Sequence, residues 1–118
     1  MKRLTMFLVA LALVAAAPVV QAEEMSWTGE VLDLACYVAK GAHGADHAGC
    51  AKACVKGGQP MGLLTEDGTV VLLAANHDDG APYEALKDWA GSTVVVTGEL
   101  VERDGMKLVS VTGSKAAS

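Results

Sequence analysis

The sequence predicts a mainly β domain whose strands close into a barrel, and three kinds of pattern support this fold class. Short apolar runs of strand length recur along the chain. Two Asp-Gly pairs, Asp67-Gly68 and Asp104-Gly105, separate neighbouring runs, and this dipeptide favours the positive φ that tight hairpin turns require. Gly98 lies in the middle of another run, at a place where a barrel strand bends sharply. These patterns predict two hairpins within one curved sheet.

Five strands and two helices account for most of the chain. The strands are predicted over residues 27–36, 61–65, 69–75, 93–101 and 106–112. The first helix is predicted over residues 47–56, with Asp46 as its N-cap and Gly57-Gly58 at its end. The second, shorter helix is predicted over residues 80–91, with Gly91 as its stop.

The order of these elements predicts a known architecture. Without the first helix it is the order of a five-stranded OB-type Greek-key barrel, with a short helix between strands 3 and 4. The first helix carries Cys and His residues and is inserted between strands 1 and 2, within residues 41–58. We therefore expect a single OB-like domain over residues 23–114, followed by a flexible tail over residues 115–118.

Residues 1–22 have the features of a cleaved secretory signal peptide. Lys2 and Arg3 form a basic start, residues 4–14 form an apolar core, and Ala22 is a small residue at the expected cleavage position. The apolar run is shorter than the ~20 residues that span a bilayer. We therefore expect a soluble periplasmic protein that has no contact with the membrane after signal cleavage.

The balance of charge argues against a nucleic-acid partner. The chain has nine Lys and Arg and fourteen Asp and Glu residues, for a net charge of −5. Cleavage after residue 22 removes two basic residues, which leaves a charge of −7. Binding to a phosphate backbone needs clustered basic side chains, and here they are scattered. We expect a metal ion or a periplasmic protein as the partner.

Export makes the three cysteines informative. Outside the cytosol, thiols are usually paired in disulfides or bound to metal. Cys36, Cys50 and Cys54 are an odd number, so a single disulfide leaves one thiol over. The remaining sulfur requires a second explanation.

A metal site is the first interpretation of these residues. Because each helical residue turns by about 100°, His47, Cys50 and Cys54 share a stripe about 60° wide. Cys36, predicted at the end of the first strand, can fold back onto this stripe through a loop of small residues, and His43 in that loop is a further candidate ligand. The set predicts a Cys₃His site, tetrahedral for Zn²⁺ or three-coordinate for Cu(I).

Two other interpretations stay open. Cys36 could form a disulfide with Cys50 or Cys54 and attach the insert to a barrel that recognises a partner. Alternatively, the thiols could serve an accessory redox protein, although C-x-x-C is absent and Cys50 is expected inside its helix, away from the N-terminal N–H groups. We expect binding rather than catalysis. Neither haem nor a nucleotide is expected, because C-x-x-C-H, Walker and Rossmann patterns are absent.

Two motifs carry a resemblance to known proteins. The stretch from Val94 to Val101, followed by Asp104-Gly105, resembles a strand and turn of small exported bacterial OB-fold proteins. Cys36-Tyr37 and the pattern H-x-x-C-A-x-x-C over residues 47–54 are similar to motifs of short periplasmic proteins that carry them between the first two strands. The resemblance implies the barrel and the position of the insert, and it implies no activity.

Overall fold

The computed structural model describes residues 12–15 and 24–117. The predicted signal peptide, residues 1–22, therefore lies outside the described residues except for positions 12–15. Within the described ranges, no helix combines the length and the apolar character needed to cross a membrane.

Five strands and three short helices make up the described chain. In order, they are β1 (Glu24–Asp33), α1 (Leu34–Lys40), α2 (Ala48–Lys56), β2 (Met61–Thr65), β3 (Val70–Ala75), α3 (Ala81–Leu86), β4 (Thr93–Arg103) and β5 (Met106–Ala116). A 3₁₀ turn, Ala45–His47, leads into α2, and a second one, Lys87–Trp89, follows α3. β5 continues to Ala116, into the segment predicted as a flexible tail.

The strands form a closed barrel in the order β1, β2, β3, β5, β4. β1 pairs antiparallel with both β2 and β4, and β3 pairs parallel with β5. Closure leaves no free sheet edge along the paired segments, because each strand has a partner on both sides. The prediction of a mainly β fold with a five-stranded barrel is confirmed.

The barrel bends where β4 carries a glycine. The register between β4 and β5 shifts between Thr97 and Gly98. A Cβ atom at Gly98 would lie 2.2 Å from the carbonyl oxygen of Ser110, so only glycine allows the two strands to approach this closely. The predicted bend at Gly98 therefore coincides with a real irregularity of the sheet.

The core fills the barrel and extends onto two helices. α2 adds Ala51 and Val55, and α3 adds Leu86. The remaining core side chains come from the strands or from the segment before β4: Val31, Met61, Leu63, Val71, Leu73, Ala90, Val94, Val96, Val109 and Val111. Burial of these apolar side chains is the main favourable contribution to folding.

The structure corrects the predicted end of the first strand. β1 ends at Asp33, whereas the sequence predicted a strand through Cys36. Asp33 instead caps α1, because its Oδ1 atom accepts hydrogen bonds from the backbone N–H groups of Ala35 and Cys36. Two helices, rather than one, therefore lie between β1 and β2.

The start of the Cys/His helix also differs from the prediction. Asp46 was expected as the N-cap, but it lies in the 3₁₀ turn and α2 begins at Ala48. His47 occupies the N-cap position and makes no side-chain capping bond. Cys50 is therefore in the first turn of α2 rather than inside the helix, where the sequence had placed it.

Candidate metal centre

Close packing of α1 against β2 positions Cys36. Leu34 is buried and its backbone N–H donates to the carbonyl oxygen of Pro60 at 3.0 Å. Its side chain lies against Gly62, where a Cβ atom would come within 2.6 Å of Leu34 Cδ2. Together with the Asp33 cap, these contacts hold the first turn of α1, and with it Cys36, at the end of the barrel strands β1 and β2.

The position of α2 depends on a glycine in the loop before β4. Gly91 has φ +82°, and a Cβ atom at this position would lie 2.6 Å from the Cα atom of Ala48. Its backbone N–H donates to the carbonyl oxygen of Val31 at 2.8 Å. The first residue of α2 therefore packs directly on this loop, next to β1.

α2 has two adjoining stripes with different roles. Ala51 and Val55, four residues apart, are buried in the barrel core. His47, Cys50 and Cys54 follow the spacing of the neighbouring stripe. Burial of the first stripe therefore fixes the rotation of α2 and presents the second one to α1.

The helices bring the four principal predicted ligands together around Cys36. The ligand atoms of Cys36, His47 and Cys50 lie within 4.8 Å of one another, and so do those of Asp33, Cys36 and Cys54. Cys36 belongs to both groups, which makes it the centre of the cluster. We refer to these five residues as the Cys/His/Asp cluster.

Two polar atoms of the cluster are buried without a partner. His47 Nε2 and Asp33 Oδ2 are inaccessible to solvent and make no hydrogen bond. Leaving a buried polar atom unpaired costs free energy, about 1–3 kcal/mol, so such atoms are few in native proteins. Cys36 and Cys54 are half-buried and Cys50 is exposed, so the cluster is reachable from solvent on the Cys50 side.

No family model, curated protein or solved structure matches this chain. The resemblance to exported OB-fold proteins therefore stays a prediction. The donor set itself indicates the chemistry, since soft thiol sulfurs with an imidazole nitrogen suit Zn²⁺ and Cu(I).

The Asp33 carboxylate controls the protonation of two thiols. By favouring the protonated thiol, it raises the pKa of Cys54 to about 12, and desolvation and the neighbouring Cys50 add to this effect. The same carboxylate is the main cause of the raised pKa of Cys36. In the metal-free protein both thiols therefore keep their protons at neutral pH, and a metal ion has to displace them.

Asp33 itself stays ionised. Burial pushes its pKa upward, but the thiols of Cys36 and Cys54 and the backbone N–H groups of Cys36 and Ala35 together hold that pKa below its ordinary value. The cluster therefore contains one fixed negative charge before any metal ion binds.

The three thiols are free and are not at disulfide distance. The interpretation in which Cys36 is joined to Cys50 or Cys54 requires a bond that the structure does not contain. Instead, all three sulfurs belong to the Cys/His/Asp cluster, and none of the three cysteines is left over.

His43, the fifth predicted ligand, lies apart from the cluster. Its Nδ1 atom is 3.1 Å from Glu30 Oε1, and its ring packs edge-on against Tyr37 with 5.7 Å between centroids. Glu30 Oε2 also accepts a hydrogen bond of 2.6 Å from the backbone N–H of Gly44. These contacts tie the loop between α1 and α2 to β1.

An open groove of about 520 Å³ lies on another face of the barrel. Trp27, Asp67 and Lys107 are among its lining residues, and no member of the Cys/His/Asp cluster is. The Asp67 carboxylate accepts hydrogen bonds from the Thr65 hydroxyl and the Thr69 backbone N–H. This acid therefore stabilises the β2–β3 turn.

Asp33 is the member of the cluster that the sequence analysis missed. It lies within the run, residues 27–36, that the apolar pattern predicts as the first strand. An Asp followed by the helix-favouring residues Leu34 and Ala35 is also typical of a helix N-cap, and this signal could have located both α1 and its capping carboxylate.

Proposed function

We propose that this chain is an exported, periplasmic protein that binds a transition metal ion, Zn²⁺ or Cu(I), through Cys36, His47, Cys50 and Cys54. The observation that carries the proposal is the meeting of these side chains from two separate helices, with His47 Nε2 buried and unpaired. A metal ion explains at once why an imidazole and three free thiols share one place.

In this proposal the scaffold that carries the site is an OB-type barrel. Its strand order, closed through antiparallel β1–β4 and parallel β3–β5 pairs, is compatible with the five-stranded Greek-key arrangement that the sequence predicts. In this proposal the barrel is a rigid support, and the protein carries or senses the metal rather than catalysing a reaction. Its partners are the metal ion and a periplasmic protein that exchanges it.

Metal binding at this place also has a structural consequence. α1 has seven residues and α2 has nine, lengths at which isolated helices are unstable in water. An ion held by Cys36 of α1, by Cys50 and Cys54 of α2 and by His47 at the N-cap of α2 joins the two helices directly. Binding energy therefore becomes stability of this segment.

Native mass spectrometry of the purified protein, with and without thiol alkylation, tests the proposal. We expect a mass increased by one metal ion, and three alkylatable thiols once the metal is removed. A metal-free mass that lacks two hydrogens, with a single alkylatable thiol, would contradict the proposal and support the disulfide interpretation.

His47→Ala tests the ligand set. We expect this variant to bind Zn²⁺ about tenfold more weakly or worse, because the imidazole is one of the four proposed ligands. His77→Ala is the matched control, since His77 is exposed in the loop after β3 and outside the cluster. Equal affinities of the two variants, measured by competition with a chromophoric chelator, would exclude His47 as a ligand.

A further inference from the structure

Asp33 is unusual because it is the buried charged side chain of the described residues, with 1% of its surface exposed. Its cap function uses only Oδ1, which accepts from Ala35 and Cys36. Ser, Thr or Asn would cap a helix equally well without a charge. The cap therefore explains neither the negative charge nor the unpaired Oδ2 atom.

Among residues 12–15 and 24–117, no cationic side chain forms an ion pair with this carboxylate. The ion pairs found in the described part of the chain join His43 to Glu30, Lys56 to Asp88 and Lys87 to Glu84, and none of them includes Asp33. Its charged form is favoured by neutral groups, namely two backbone N–H groups and the thiols of Cys36 and Cys54, whereas charges buried in proteins are usually paired with an opposite charge or coordinate a metal ion. Apart from the two backbone N–H groups that it caps, the sulfurs of Cys36 and Cys54 lie beside this carboxylate, within 4.8 Å of one of its oxygens.

We propose that Asp33 is a ligand of the metal centre and that the resident ion is Zn²⁺. This inference rests on the proposed function and adds to it both an oxygen ligand and the identity of the metal. Zn²⁺ accepts carboxylate oxygen together with thiolate and imidazole, and its shell can expand from four donors to the five that the cluster then offers. Cu(I) is satisfied by soft ligands alone, and its single charge compensates less of the negative charge that the carboxylate and the thiolates bring together.

The arrangement explains why Asp33 and Cys36 are placed as they are. The same carboxylate caps α1 through one oxygen and has a second oxygen left over, while the first turn of that helix carries Cys36. A bound Zn²⁺ supplies the positive charge that Asp33 lacks. Folding of α1 and formation of the metal site therefore depend on one side chain.

Asp33→Asn separates the two roles of this residue. Asparagine keeps the cap and the shape but removes the charge. We expect its Zn²⁺ affinity to fall about tenfold or more and its Cu(I) affinity to change by less than about threefold, both measured by competition with chromophoric chelators. Asp88→Asn is the control, since Asp88 is 70% exposed and its substitution changes the net charge by the same amount.

The outcomes separate this inference from the proposed function. Unchanged Zn²⁺ affinity in Asp33→Asn, or equal losses for the two ions, would overturn the role of Asp33 while metal binding stands. A wild-type protein that binds neither ion would overturn both proposals.

Elemental analysis of the wild-type protein does not depend on how any variant folds. Protein purified from cells supplied equally with both metals is expected to contain zinc. Copper in its place would overturn the inference and leave the proposed function standing.

Discussion

The barrel and the helical insert, residues 34–56, are built on different principles. Within the barrel, apolar side chains fill the interior and each strand is paired on both sides. At the insert, the structure collects thiols, an imidazole and a carboxylate, and both unpaired buried side-chain atoms found in the described residues belong to this cluster. Apolar burial and strand pairing thus account for the barrel, whereas the side chains of the cluster form a group that could hold a metal ion.

Leu63→Ala should affect the barrel alone. Leu63 is fully buried on β2, so the substitution removes apolar contacts and leaves a cavity. We expect the free energy of unfolding of the metal-free protein to fall by about 2–5 kcal/mol, measured by urea denaturation. Zn²⁺ affinity of the folded variant should stay within about threefold of the wild-type value. A parallel loss of affinity would show that the insert and the barrel are not independent.

A rise in pH should have opposite effects on Zn²⁺ affinity and on the stability of the metal-free protein. Because the pKa values of Cys36 and Cys54 are raised, a metal ion competes with protons at both thiols. Apparent Zn²⁺ affinity should therefore rise with pH between about 6 and 8, by about tenfold per unit for each displaced proton. An affinity independent of pH in isothermal titrations would contradict the assignment of these thiols as ligands.

The free energy of unfolding of the metal-free protein should decrease as pH rises. The folded state raises the pKa of Cys54 from its ordinary 9.0 to about 12, so it keeps a proton that the unfolded chain releases. The resulting stabilisation is complete below pH 9 and is lost as pH rises toward 12. Cys54→Ala should lack this part of the decline, which denaturation curves recorded under reducing conditions from pH 8 to 11 can resolve.

Gly91→Ala should affect both the stability of the protein and the metal site of the insert. The new Cβ atom would meet the start of α2 at a positive φ, and we expect a loss of about 1–3 kcal/mol in stability together with weaker Zn²⁺ binding. Gly68→Ala is the matched control, because Gly68 also has a positive φ but no atom within 4 Å of the added Cβ. Its Zn²⁺ affinity should equal that of the wild type. Unchanged affinity in Gly91→Ala would mean that α2 is not positioned by this contact.

Most of the barrel could be predicted because its signals are local. The Asp104-Gly105 turn joins β4 to β5 where expected, with both residues at positive φ. α1 could not be separated from β1 in the same way, since Leu32 and Leu34 are both buried and continue one apolar run. The change from strand to helix depends on the capping bonds of Asp33, and the N-cap signal of this residue competes with the strand signal of the apolar run around it.

The site could be predicted in part for a related reason. Helical spacing places His47, Cys50 and Cys54 on one stripe irrespective of tertiary structure. The position of Cys36 depends on the packing of Leu34 on Gly62, and the separation of His43 depends on Glu30 of β1. Contacts between residues distant in sequence decide these details, and no local pattern encodes them.

X-ray absorption at the zinc edge of the Zn²⁺-loaded protein tests the central claim most directly. The account predicts a first shell that contains sulfur at about 2.3 Å together with nitrogen or oxygen at about 2.0 Å. In Cys36→Ser, the sulfur contribution should decrease. A shell of nitrogen and oxygen alone in the wild-type protein would contradict the claim that the thiols of the insert hold the metal.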